Sequence, residues 1–178
     1  MKREPLKYIL PILLLLCCRG ADIPAPDERD ASLVVPGKSA EGYIIGEELS
    51  RGEQLTPAGG DTIPSLSVIL GINSIPGVDF DSFIYFRNRA VIFTRHNVIT
   101  AIAGLGVERR VTESAVKLSD GSDSFILNYG NSGMEILREG QHWAYIYRRL
   151  GIAIFDDYGD DSIDMYLVFA PTEKQPLP

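Results

Sequence analysis

The stretch "SFIYFRNRAVIFTRHNVITAIAGLG", residues 82–106, holds three apolar runs, 83–86, 90–94 and 98–103, separated by the reversals 87–89 and 95–97. β-branched and aromatic residues dominate each run, as strands prefer. A three-residue reversal such as "RHN" cannot carry a parallel crossover, which needs a dozen residues or more, so these strands must pair antiparallel. Further on, "HWAYIYRRLGIAIFDDYGDDSIDMYLVF", residues 142–169, has the same layout, with strands predicted at 143–147, 151–155 and 162–169 and turns at 148–150 and 156–161. Laying "FIYFRNRAVIFTRHN" over "AYIYRRLGIAIFDDY" brings aromatic, basic and β-branched positions together, which reads as an internal repeat.

Upstream of each strand set lies a helix-compatible piece, 61–72 and 119–131, closed by Gly71 and Gly130, where a left-handed cap would sit. Asp61 or Thr62 could cap the first and Ser122 or Asp123 the second. The expected fold class is therefore α+β: a tandem repeat of a short helix followed by antiparallel strands, forming one antiparallel sheet with helices on one face. Residues 33–108 would form the first unit and 109–171 the second.

Within "SLVVPGKSAEG", Gly37, Lys38 and Ser39 match the second half of a phosphate-binding loop. The position where that loop needs its first glycine is Ser32, Pro36 removes a backbone donor, and "AEGYIIG" reads as a strand rather than a helix. A turn and a strand are expected here, with no nucleotide.

The N-terminal residues "MKREPLKYILPILLLLCCRG" combine Lys2, Arg3 and Lys7 with an apolar stretch over 8–16 and then small residues, the layout of an export signal. The apolar stretch is about half of the roughly 20 residues that span a bilayer, and Pro11 interrupts it. Leucine-rich sequence running into Cys17 and Cys18 resembles the lipobox of bacterial lipoproteins, in a relaxed form similar to that of spirochaetes. The resemblance implies a signal peptide over 1–17, diacylglycerol on Cys18 (with Cys17 the second choice), and attachment of the exported protein to the cell envelope. A cut by ordinary signal peptidase after "CRG" is the other reading. Both cysteines fall in this segment, so the exported part can form no internal disulfide and must rest on its core.

Residues 18–32 are polar and carry two prolines, as expected of a flexible tether, and 172–178 read as a frayed tail. The full chain has a net charge of −7, and loss of the basic leader makes it more acidic still. That balance argues against nucleic acid and anionic lipid surfaces, which call for clustered Lys and Arg.

The helix-ending "YGN" and the segment "YIYRRLGIAIF" give the domain a resemblance to tandem helix–strand envelope proteins such as the small outer-membrane assembly lipoproteins and the β-lactamase inhibitor protein. The resemblance implies a noncatalytic binding or scaffolding role and supplies no binding residues.

Candidate chemistry is sparse. His96 lies in the "RHN" reversal and His142 at the start of a strand, neither in zinc-ligand spacing. Asp156, Asp157, Asp160 and Asp161 crowd one reversal; they read first as a solvated turn and second as a calcium site of hard oxygen ligands. Arg87, Arg89, Arg148 and Arg149, interleaved with Tyr85, Tyr145 and Tyr147, read either as a recognition surface or as strand alternation with basic turns. The expectation is a lipid-anchored envelope protein that binds another envelope protein without catalysis or cofactor. The alternative is an exported hydrolase with a serine or acidic metal site.

Overall fold

The computed structural model describes residues 27–49, 56–57, 78–86 and 90–172. Strands β1 (Leu33–Val34), β2 (Ser39–Ala40), β3 (Tyr43–Ile44) and β4 (Thr56–Pro57) are two-residue pieces, whereas β5 (Ser82–Phe86), β6 (Ala90–Arg95) and β7 (Val98–Gly104) are full strands. After β8 (Val111–Thr112) and a 3-10 turn at Leu118–Asp120 come helix α1 (Ser122–Tyr129) and strands β9 (Glu135–Glu139), β10 (His142–Tyr147), β11 (Ile152–Asp156) and β12 (Met165–Phe169).

Eight strands form one sheet in the order β4-β5-β6-β7-β12-β11-β10-β9, antiparallel throughout. Hairpins build each end, and the β7–β12 pair, Ala101 opposite Phe169 through Gly104 opposite Tyr166, joins them. Between β6 and β7 the link is His96–Asn97, with φ of 51° and 66°. Two successive positive φ values match the type I′ turn, whose twist suits that of paired strands. Thr100 is the extra residue of a bulge, because Phe93 pairs with Ala101 while Thr94 pairs with Ile99.

Both sheet faces are apolar, which explains why β6, β11 and β12 read as continuous hydrophobic runs instead of alternating. One face carries Ile84, Ile92, Ile102, Ile154 and Val168 under Phe125 of α1 and under Val34, Ala40 and Leu49 of the N-terminal segment. The other carries Phe83, Phe93, Ala103, Ile146, Phe155 and Leu167. The N-terminal segment is fastened at several points: β1 pairs parallel with β8, Gly46 N–H donates to Ile99 O at 2.8 Å, and Leu49 N–H donates to Asn97 O at 3.0 Å. The part of the expected tether that the structure describes is engaged as well, with Arg29 donating to both carboxylate oxygens of Glu47.

The tandem helix–strand architecture with helices on one face is overturned. Among the described residues there is one α-helix, and the fold is dominated by strands. The segment 61–72 lies outside the described residues, as do Cys17 and Cys18. Of the expected piece 119–131, Ser122–Tyr129 form the helix; eight residues are too few to stand without packing, which Phe125 supplies against the sheet. The overlay of the two strand sets also slips. It set Val91 against Ile152, yet these lie on opposite faces of the sheet. The β5–β6 link spans three residues after Phe86, but the β10–β11 link spans four after Tyr147, and one extra residue reverses every side chain of a period-2 strand.

Candidate binding surface

Strands β9 and β10 are joined by Gly140 and Gln141, and their register sets Arg138 opposite Trp143 and Ile136 opposite Tyr145. Directly opposite residues share a face, so these four side chains form one patch at the sheet margin. Arg138 lies over the Trp143 ring, its guanidinium carbon 4.4 Å from the centroid. Trp143 and Tyr145 stack with centroids 6.4 Å apart and planes 13° off parallel. Both aromatic rings are half-buried, while Ile136 is 51% exposed. Burial beside the carboxylates of Asp156, Asp123 and Asp161 raises the Tyr145 phenol above its usual range, desolvation being the largest cause, so it is a neutral hydroxyl at physiological pH.

The acidic turn braces this patch. Gly159, at φ 67°, lies so close to Trp143 that a Cβ there would come within 3.0 Å of Nε1. Asp156 is 2% exposed; its Oδ1 accepts the N–H groups of Tyr158, Gly159 and Asp160, and its Oδ2 accepts that of Asp161. Asp157 meets His142 Nδ1 at 3.3 Å, and Asp160 accepts the Ser162 N–H. Asp161 accepts the Asp123 N–H at 2.6 Å and the Ser122 hydroxyl at 2.9 Å, bonds that hold its carboxyl below the usual range. The structure thus corrects the expected cap of α1: its N-cap position is Gly121, and the capping carboxylate arrives from Asp161, a turn far away in sequence. The four aspartates anchor separate parts of the turn, and among the described residues no three His, Cys, Asp or Glu side chains converge as a metal site would require.

The predicted arginine–tyrosine surface is not one patch. Tyr85 belongs to β5 and Tyr145 to β10, five strand spacings apart, or about 24 Å. Arg87 and Arg89 lie outside the described residues. Tyr147 is buried against Phe125, centroids 5.7 Å apart, and burial pushes its hydroxyl up to about 12. Arg148 is tied to Glu135 at 2.8 Å, and Arg149 is exposed. Of the predicted residues that the structure describes, only Tyr145 falls in the margin patch; Trp143, Arg138 and Ile136 complete it. Their signal in the sequence was Trp143 itself, a lone tryptophan that more often fills a core.

Neither histidine meets a serine among the described hydrogen bonds: His96 is exposed beside Asp81, and His142 pairs with Asp157. A shallow cleft of roughly 440 Å³ between the 3-10 turn and the acidic turn is lined by Ser119, Asp120, Gly121, Asp161, Ser162 and Ile163 among others, with no histidine. Gly37 of the phosphate-loop-like stretch donates its N–H to Gly151 O at 3.1 Å, so the glycine serves packing against the β10–β11 link. Among the described residues no helix is long and apolar enough to cross a membrane. No protein-family model matches the chain, and no curated protein or solved structure shows significant similarity to it.

Proposed function

We propose that this protein is an exported envelope lipoprotein, held to the membrane through Cys18, whose domain binds another envelope protein without catalysis through the margin patch of Ile136, Arg138, Trp143 and Tyr145. The observation that carries the binding reading is the half-exposed Trp143, with the Arg138 guanidinium over its ring and the Gly159 backbone close to its Nε1. Tryptophan, tyrosine and arginine are the residue types that dominate interface energetics, and a ring already held by its neighbours loses little freedom when covered. The leader sequence motivates the location.

A photo-crosslinking amino acid placed at position 143 or 136 in cells tests the surface, with Leu127, which is 85% exposed on α1, as the control position. One discrete crosslinked partner from 143 and 136 but not from 127 supports the reading; equal labelling from all three sinks it. Cys18→Ala should release the protein from membranes, and mass spectrometry of the mature N-terminus should show the diacylglyceryl group. An unmodified mature terminus beyond residue 20 would remove the anchor.

A further inference from the structure

We propose that β9 takes up an extended segment of the partner protein as an added strand, extending the sheet beyond its present margin. This rests on the binding reading above and names how the partner is held.

Among the described residues β9 is terminal in the eight-stranded sheet, and its five residues pair with β10 without a register break. Glu139 and His142 close the two-residue link, so residues 135, 137 and 139 point their backbone groups at β10, and Ile136 and Arg138 turn theirs outward. Exposed edges are normally guarded by charge, proline, bulges or shortness. The other margin, β4, is two residues long and includes Pro57, which has no N–H to offer.

Two of the three charges on β9 are engaged within the chain. Glu135 is bound by Arg148 at 2.8 Å, and Arg138 lies over Trp143 with Nε donating to Gly140 O at 3.2 Å. Between the charged ends the edge is apolar: Ile136 is 51% exposed on one face and Leu137 41% on the other. An incoming strand would gain backbone bonds to residues 136 and 138 and place alternate apolar side chains beside Ile136 and Leu137.

Charge favours a partner segment in the pairing that uses the whole strand. In a two-fold pairing of two copies centred on Leu137, Glu135 would face Glu139 at both ends, and like charges directly opposite are destabilising. A partner segment with apolar residues at its centre and basic or neutral residues at its ends avoids this clash, and it suits a chain with a net charge of −7.

The test uses the full mature chain and three synthetic peptides: alternating valine and threonine flanked by lysines, the same core flanked by glutamates, and the lysine-flanked peptide with a central proline. Trp143 is the only tryptophan, so its fluorescence reports occupancy, while hydrogen exchange reads the amides of Ile136 and Arg138. The lysine-flanked peptide should slow exchange at both amides by tenfold or more, and the other two should bind at least tenfold more weakly. Ile136→Pro removes one outward N–H without costing a bond to β10 and should abolish the protection; Ile136→Thr, which keeps the N–H, should retain it.

A fluorescence change without protection at 136 and 138 would refute strand addition while leaving the patch as a binding surface. No change in either readout, or tight binding of the acid-flanked peptide, overturns the proposal. Protection that appears without peptide and grows with protein concentration assigns the edge to a second copy and overturns it too. Crosslinking from position 143 in cells stands apart from all of these outcomes.

Discussion

Replacing Glu41 by alanine removes the acceptor at the centre of a buried polar node. Its carboxylate accepts Nε and Nη2 of Arg110, both at 2.6 Å, and the Tyr166 hydroxyl at 2.5 Å. The side chains of Glu41 and Arg110 are 8% and 16% exposed, and Tyr166 is fully buried. Breaking a buried pair by deleting one partner costs about 3–5 kcal/mol, because the other charge is left without compensation. A stranded phenol alone would cost about 1–3 kcal/mol. The two penalties share one acceptor and do not add, so about 4 kcal/mol is expected for Glu41→Ala. Removing both charges in Glu41→Ala/Arg110→Met should restore on the order of 2 kcal/mol relative to the single variant, since no unpaired charge then remains. Urea unfolding followed by Trp143 fluorescence gives these values if the slope is unchanged among variants. A loss below about 1 kcal/mol for Glu41→Ala, or strictly additive single variants, would show that water already solvates the node and refute the reasoning.

The buried Tyr147 hydroxyl has no hydrogen-bond partner among the described residues, so Tyr147→Phe should be neutral or stabilise by up to about 1 kcal/mol in thermal unfolding. Its folded pKa is raised, so its contribution is whole below the unfolded value near 10 and is lost as pH climbs toward about 12; stability of the native protein should fall across that window and that of the Phe variant less steeply. Asp161 behaves in the opposite sense. With its folded pKa lowered, its cap stabilises above the ordinary carboxylate range and is lost as pH falls through the folded value, so Asp161→Asn should cost about 0.5–1 kcal/mol at neutral pH and nothing in strong acid. Gly151 lies against Phe169 O, and a Cβ there would also come within 2.7 Å of the Gly37 Cα, so Gly151→Ala should destabilise by roughly 2 kcal/mol or more, read from the urea midpoint. Millimolar calcium should leave the melting temperature unchanged, because the Asp156 oxygens are filled by backbone N–H groups, whereas Asp156→Asn should lower stability by about 1.5–3 kcal/mol.

The six long strands at the apolar runs were legible in the sequence because they depend on local chemistry, whereas β9, with the mixed sequence EILRE, was not. Runs such as "AVIF" and "IAIF" favour extended backbone wherever they pair, and a reversal as short as "RHN" leaves only a hairpin; the observed β6, β7 and β11 sit where the runs are. The turn glycines and aspartates were equally local. The misreadings have a shared cause, which is distance along the chain. The β10–β11 link differs from β5–β6 by one residue, too little to see in an overlay but enough to exchange the faces of β11.

What the amino-acid order alone determined was the antiparallel pairing of the strands at its apolar runs and an acidic composition; that strands and not paired helices dominate the fold it did not show. Which arginines and tyrosines meet was decided only in three dimensions. The order of strands parted Tyr85 from Tyr145, buried Tyr147, tied Arg148 to Glu135 and left Trp143 half-exposed under Arg138. Backbone preference is set by each residue and its immediate neighbours, whereas exposure and partnership are set by whatever the folded chain brings alongside, and the sheet brings residues together from many positions apart.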